Sequence, residues 1–296
     1  MDERSKIILE VVRQMDEKDE IATISDYKSI NALLMKFIDA LHYEKMECPI
    51  WQPYLSTHLL KFSLHNSSLI KEFEGVIFNK TIDNTEQKTY NISALYLLSR
   101  ATIETFLLIR YLYFNNKDES QGIFRYFLYE LGGLKTRQNY IAINSESIAK
   151  KESEKKTIEE LENGIKLNTY FLSLKDYKRK DILNSGRAKE INWKEIITES
   201  GLEKSFHFSN WEFYSNYAHS ELIEAIQLKK LYQNPIKLKE SVYHTLSCTI
   251  IYETILLSNL KNKYKHFENL YESQSLELKT KIDFWAKFGI DLKFSK

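Results

Sequence analysis

The chain has 296 residues, a net charge of +1 and a charged fraction of 28%, and it contains only 8 glycines and 3 prolines. So few turn-forming residues argue against an all-β fold, which needs many tight turns. A net charge near zero argues against a dedicated duplex-DNA-binding protein. The two cysteines, Cys48 and Cys248, are far apart in the sequence. Two isolated thiols are typical of a reducing compartment, and we expect a cytoplasmic protein.

Apolar residues recur at helical spacing along most of the chain. The pattern predicts an all-α protein, folded as a single helical bundle of about ten helices. In chain order, the expected helices cover residues 4–15, 26–42, 54–78, 93–114, 122–149, 150–174, 193–200, 206–232, 238–264 and 276–288. Ser25 and Asp26 are the expected N-caps of the second helix. The pair Gly132-Gly133 is expected to kink the fifth helix.

The domain organisation that we expect is simple. Residues 1–89 form an N-terminal helical region, which ends in a polar loop and packs on a core formed by residues 90–296. The whole chain is expected to be one compact unit. Within it, residues 92–114 are apolar and numerous enough to span a bilayer, but they include Arg100, Glu104 and Arg110. Because charges are costly in a membrane, we interpret this segment as the central buried helix of a soluble fold, with no membrane partner.

A basic segment follows the lysine- and glutamate-rich sixth helix. Residues 175–194 hold seven lysines and arginines against three acidic residues, and they lack apolar periodicity. We expect an exposed loop here, followed by a short helix that Asn192 caps and Gly201 closes. If the protein handles RNA, four side chains of this loop are the candidate phosphate contacts: Lys178, Arg179, Lys180 and Arg187.

The first candidate for chemistry is a charged pair in the apolar fourth helix. Arg100 and Glu104 are four residues apart and share one helix face, while nearly all of their neighbours are apolar. A helix that is apolar all round is normally buried, and a buried charge must be paired. The pattern therefore predicts a buried ion pair, which either sets the helix register or forms part of a site.

The second candidate lies in an aromatic-rich helix near residue 215. Helical spacing places Glu212, Ser215 and His219 on one face. A hydroxyl one turn before an imidazole can orient it or be polarised by it. The alternative is a satisfied core histidine. Because one shared polar network costs less than two separate ones, we expect the Arg100 and His219 helices to pack face to face, with His219 hydrogen-bonded to Glu104, Arg100 or Ser215. His58 and His65 are seven residues apart without an evident third ligand, so we predict no metal site and no cofactor.

These two helices resemble those of a poorly characterised bacterial all-helical family. Its members carry an Arg-x-x-x-Glu helix with apolar flanks, a short amphipathic helix, and an aromatic-rich helix with Ser-x-x-x-His. The corresponding residues here are Arg100, Glu104, Ser215 and His219, and the similarity covers roughly residues 90–230. That family is distantly similar to HEPN domains, helical bundles of toxins and antiviral defence systems, many of which are metal-independent ribonucleases.

The resemblance implies a HEPN-like defence or toxin protein that cleaves RNA. His219 would be the general acid or base and Arg100 would stabilise a phosphate, while Glu104 and Ser215 orient them. The sequence departs from the usual HEPN pattern, Arg-x(4–6)-His, because no arginine lies five to seven residues before His219. The alternative is a non-catalytic interaction module with a structural polar core. RNA, a second copy of the chain or a protein encoded nearby are the partners we consider.

Overall fold

The structure is a computed structural model that describes residues 1–43, 49, 51–79, 85–218 and 222–291. Helices hold 82% of the described residues, so the prediction of an all-α protein is confirmed. The described residues form fourteen α-helices, more than the ten expected, and one π-helical turn (Arg110–Phe114). The α-helices are α1 (Glu3–Glu17), α2 (Glu20–Tyr43), α3 (Leu55–Glu74), α4 (Ile92–Ile109), α5 (Glu119–Gln138), α6 (Ser145–Leu167), α7 (Thr169–Ser173), α8 (Asp176–Ser185), α9 (Trp193–Glu199), α10 (Lys204–Ala218), α11 (Leu222–Tyr232), α12 (Pro235–Lys263), α13 (Lys265–Glu272) and α14 (Leu276–Asp291).

Two strands replace part of the loop expected before α4. β1 (Val76–Asn79) and β2 (Glu86–Thr89) pair antiparallel, with Val76 opposite Thr89 and Asn79 opposite Glu86. Gly75 has φ +75° and makes the sharp exit from α3 that leads into β1. The hairpin is the only sheet among the described residues.

The second helix begins earlier than predicted. Lys18 ends α1 with a left-handed φ of 52°, and the Asp19 carboxylate then accepts a hydrogen bond from the Ala22 backbone at 3.0 Å. Asp19 therefore caps α2, and the predicted caps at Ser25 and Asp26 were wrong. The Asp26 side chain is instead buried within α2, where it accepts a hydrogen bond from Lys281 Nζ at 2.7 Å.

By packing, the chain divides into two compact units. The first contains Met1–Glu47, Tyr54–Ile109 and Gly201–Lys296, and the second contains Cys48–Pro53 and Arg110–Ser200. Each unit has its own buried core, so we describe each by itself.

In the first unit, the long helix α12 is the centre of the core and packs on α2, α4 and α14. The Tyr252 ring packs against Phe106 of α4, which also contacts Phe62 of α3. The buried His207 of α10 is within hydrogen-bond distance of the Tyr252 hydroxyl, at 2.9 Å, and of the Gly289 carbonyl, at 3.2 Å. This histidine therefore joins three helices and is a structural group of the core.

In the second unit, the apolar core lies between α5, α6 and the short helices that follow. It is formed by Phe124, Leu128, Leu131, Leu161, Ile165, Phe171 and Ile182. α5 continues through Gly132 and Gly133, and a Cβ at Gly132 would lie 2.6 Å from the backbone of Ala188. Gly132 thus permits a close approach of the chain, and the predicted kink stays a prediction. The prediction of α9, capped by Asn192 and closed by Gly201 at φ +67°, is confirmed.

A fully buried arginine organises the second unit. Arg125 donates to Glu190 at 2.8 Å and to Glu199 at 2.7 Å, and its guanidinium lies 4.4 Å from the centre of the Tyr111 ring. It also donates to the Asn115 carbonyl at 3.2 Å. These contacts satisfy a buried cation from several sides, which burial requires. The sequence analysis did not single out this residue.

One helical stretch, Ile92–Phe114, is long and apolar enough to cross a membrane, and it is the only such stretch among the described residues. The core helix of a water-soluble protein has the same composition, so one such stretch is weak evidence for a membrane span. Here α4 packs against α3, α10 and α12 and supplies buried residues to the core.

Candidate functional site

The ion pair predicted in α4 forms, but it is only half-buried. Arg100 Nε donates to Glu104 Oε1 at 3.1 Å, and the side chains keep 22% and 29% of their exposure. The reason is that α4 is not covered all round. Leu97, one turn before Arg100, is 42% exposed on the same side of the helix. The expectation of a fully buried pair was therefore wrong, and the pair faces solvent at its edge.

Helix α10 supplies the third member of this cluster. The indole nitrogen of Trp211 donates to the same Glu104 oxygen at 3.1 Å. Two turns earlier on α4, Tyr96 contacts the rings of Phe213, Tyr214 and Tyr217. The two helices are thus antiparallel neighbours, and the prediction that they pack face to face is confirmed. Trp211 was not predicted as a partner, although its spacing from Ser215 places it on the same helix face.

Three other residues were predicted for this site: Ser215, Glu212 and His219. Ser215 is half-buried and donates its hydroxyl proton to the Trp211 carbonyl at 2.7 Å, so its proton is bonded within α10. Glu212 is exposed. His219 lies outside the described residues, and its predicted hydrogen bond to Glu104, Arg100 or Ser215 stays a prediction.

Arg100 has unused hydrogen-bonding capacity. Its contacts within the described residues are made through Nε, whereas a guanidinium has five N–H donors. Glu104 accepts two donors on one oxygen, which fixes the Nε side of the guanidinium. The arrangement therefore holds one edge of Arg100 in place and leaves its Nη groups for solvent or for an anion.

The first half of the basic segment is a helix rather than the predicted loop, and residues 186–192 form a loop before α9. α8 covers Asp176–Ser185 and buries Ile182. Arg179 pairs with Asp176 one turn away, and Arg187 pairs with Asp181. Two of the four candidate phosphate contacts are thus neutralised by their own aspartates, whereas Lys178 and Lys180 are exposed.

A cleft beside α10 contains polar groups that the sequence analysis passed over. Its volume is about 630 Å³, and ten described residues line it: Tyr96, Ser209, Asn210, Phe213, Leu231, Lys237, Glu240, Ser241, His244 and Thr245. A volume of this size is typical of small-molecule sites. His244 lies at the surface of the cleft, with Nε2 at 3.5 Å from Asn210 Oδ1 and 3.6 Å from Cys248 Sγ.

The Cys248–His244 contact resembles a nucleophilic dyad, but the chemistry of the thiol argues against that role. Cys248 is buried, and burial raises its pKa to about 12. The thiol therefore stays protonated at neutral pH, whereas a nucleophilic cysteine needs a thiolate. Burial of the imidazole lowers the pKa of His244, so this ring is neutral at pH 7 although one side is open to the cleft. The four-residue spacing of His244 and Cys248 is the sequence signal that could have revealed their contact.

No group of three or more His, Cys, Asp or Glu side chains that could hold a metal ion occurs within the described part of the chain. His58 is buried on α3, and this burial lowers its pKa to about 4. Comparison of the chain with protein-family models, with curated proteins and with solved structures finds no match.

Proposed function

We propose that this protein is a HEPN-like ribonuclease of a defence or toxin system, acting in the cytoplasm without a metal ion. One observation supports this function best: the two motif helices are direct neighbours, and Glu104 joins Trp211 of α10 to Arg100 at an edge that is open to solvent. A site for RNA must be reachable from solvent, and this edge of the ion pair is.

The chemistry assigns a role to each residue. His219 takes the proton of the ribose 2′-hydroxyl as this oxygen attacks the adjacent phosphorus, and the bond from phosphorus to the 5′-oxygen breaks. The leaving 5′-oxygen takes a proton from solvent, and the products are a 2′,3′-cyclic phosphate and a 5′-hydroxyl. The Nη groups of Arg100 stabilise the charge that develops on the phosphoryl oxygens. Glu104 is a positioning residue that holds the Nε edge of Arg100.

Ser215 has a smaller role in this proposal than its motif position suggests. Its proton is bonded to the Trp211 carbonyl, so the hydroxyl offers its lone pairs only. It can accept a hydrogen bond from an imidazole N–H, which would orient the ring of His219. Lys178 and Lys180 of α8 are the remaining candidates for contacts to RNA phosphates.

Expression in a bacterial host tests the toxin function. Induction of the wild-type chain should arrest growth, and His219→Ala and Arg100→Ala should each relieve the arrest. The matched controls are His42→Ala, an exposed histidine of α2, and Arg13→Ala, an exposed arginine of α1 that also has an ion pair one turn away. Growth arrest that persists in soluble His219→Ala protein would contradict the proposed role of His219.

A second function, a protein-interaction module, is favoured by a separate observation. The connection between α5 and α6 exposes Tyr140, Ile141 and Ile143, the two isoleucines at 89% and 91%. Adjacent exposed apolar side chains commonly mark an interface. The following helix α6 alternates lysines and glutamates, with an ion pair between Lys155 and Glu152, so two copies could pair with complementary charges.

The oligomeric state tests this second function. If a second copy covers the apolar connection, the wild-type chain should be a dimer in light scattering, and Ile141→Asp with Ile143→Asp should make it a monomer. Ile21→Asp is the control, because Ile21 is as exposed, at 84%, but lies on α2. A wild-type monomer at high concentration would exclude the homodimer.

A further inference from the structure

We propose that the cleft between α4, α10 and α12 binds an adenine nucleotide through Asn210, His244 and Phe213. This site is separate from the chemistry of Arg100 and His219, and the inference does not depend on ribonuclease activity.

The deep end offers hydrogen bonds but no charge. Asn210 is only 9% exposed, and its amide has weak partners. Nδ2 donates to the Cys248 sulfur at 3.4 Å, a poor acceptor, and Oδ1 lies 3.5 Å from His244 Nε2, at the limit of a hydrogen bond. A buried amide whose partners are this weak gains from a ligand that offers better ones.

The deep end of the cleft is uncharged, so it favours an uncharged ligand group. Because the deep end presents the Asn210 amide and the protonated Cys248 thiol rather than a charged group, a carboxylate or phosphate would be desolvated there without a cation. An amide presents one donor and one acceptor side by side. Its complement is an adjacent acceptor and donor on a planar edge. Every nucleobase offers such a pair, and adenine offers it to asparagine through N6 and N7; the two fused rings of adenine also stack over more area than the single ring of uracil.

The wall of the cleft suits a flat ring. Phe213 is half-buried and lines the cleft, and Tyr96 supports it edge-on, with ring centres 5.1 Å apart. Stacking of a base on an aromatic side chain stabilises a complex whatever the base, because every base has a flat π face. An aliphatic ligand would fill the same space without that contribution.

The rim of the cleft carries a lysine that can bind a phosphate. The Glu240 carboxylate is held by Lys18 Nζ at 2.7 Å. Lys237, exposed in the first turn of α12, has no ion-pair partner of its own within the described residues. A ligand with a neutral planar head and an anionic tail therefore matches a neutral deep end and a cationic rim, as a nucleotide does.

Calorimetric titration with AMP, adenosine, UMP and a short oligoadenylate tests this assignment. AMP should bind, and adenosine should bind about threefold to tenfold more weakly because it lacks the phosphate beside Lys237. UMP should bind at least tenfold more weakly than AMP. Adenine of a free nucleotide and adenine of single-stranded RNA share this chemistry, and the AMP and oligoadenylate arms distinguish them.

Three variants locate the site. Ser209→Trp, at an exposed position of the lining, should block the cleft and weaken AMP binding at least tenfold. Lys237→Ala should weaken AMP about threefold to tenfold and leave adenosine unchanged. Asn210→Asp should abolish the preference for adenine, while the exposed Asn163→Asp of α6 should bind AMP as the wild type does.

Circular dichroism shows whether each variant is folded. The proposal is overturned if neither AMP nor oligoadenylate binds, if UMP binds as tightly as AMP, or if folded Ser209→Trp keeps the wild-type affinity. Loss of ribonuclease activity in His219→Ala with unchanged AMP binding would confirm that the two sites are separate.

Discussion

Replacing Glu253 by glutamine should make the folded protein less sensitive to alkaline pH. Glu253 lies in the middle of α12 with no measurable exposure, and its carboxyl oxygens have no hydrogen-bond partner among the described residues. Burial raises its pKa well above the usual value, and the nearby Asn66 amide offsets only a part of this effect. The folded chain therefore holds the carboxyl proton up to a higher pH than the unfolded chain does.

The sign of the effect follows from this difference. Below a pH of about 4.5, the usual pKa, both states hold the proton and Glu253 costs nothing. As the pH rises, the unfolded chain releases the proton first, and the free energy of unfolding falls by about 1.4 kcal/mol per pH unit until the folded carboxyl group ionises. Glutamine does not titrate, so any constant packing cost of Glu253→Gln leaves the pH slope unaffected.

Urea unfolding at several pH values between 5 and 8 measures this slope. The difference in unfolding free energy, Glu253→Gln minus wild type, should grow with pH. Glu159→Gln, an exposed substitution on α6, should follow the wild type. If the unfolding free energies of wild type and Glu253→Gln change with pH in parallel, the reasoning is refuted. Parallel curves would mean that Glu253 has the same pKa in the folded and the unfolded chain.

Three further predictions concern stability and can be checked by urea or thermal unfolding. Glu104→Ala should cost about 1–2 kcal/mol, since Arg100 is half-exposed and one hydrogen bond from the α10 indole is lost; a cost of 4 kcal/mol would mean that the pair is fully buried. Arg125→Met should cost about 3–5 kcal/mol, because Glu190 would be left almost buried and unpaired, and an unchanged midpoint would contradict this. Gly289→Ala should destabilise the folded protein, because the added Cβ would lie 2.2 Å from Ile251 Cγ2. Its control, Gly133→Ala, has no atom within 4 Å of the added Cβ and should stabilise the fold by about 0.5–1 kcal/mol. Equal effects of the two substitutions would contradict the packing at Gly289.

The helical fold could be predicted from the sequence wherever local signals agree with packing. Asn192 and Gly201 delimit α9 because a side-chain cap and a left-handed residue act over a few residues. The antiparallel contact of α4 with α10 was predicted because two polar stripes in apolar helices each need partners. The atoms that make this contact could not be predicted, because the sequence does not reveal whether the Trp211 indole faces Glu104 or the apolar core.

Other features depend on contacts between distant residues. α8 was missed because Ile182 is its one fully buried side chain. A single buried residue gives no repeat of apolar residues at helical spacing. Arg100 was expected to be buried because the apolar neighbours on α4 did not reveal that the side carrying Leu97 is left uncovered. The cleft at Asn210 and His244 joins residues of α10 and α12, so no local pattern predicts it.

The ribonuclease proposal depends on His219 and Arg100, and the most direct test is RNA cleavage by the purified chain in the presence of EDTA. The wild-type chain should release fragments with 2′,3′-cyclic phosphate ends. His219→Ala should reduce the rate by about 10²–10⁴-fold, and Arg100→Ala should also reduce it strongly. His42→Ala and Arg13→Ala should leave the rate unchanged. Cleavage that is absent from the wild type, or equally fast in folded His219→Ala, would contradict the proposed function.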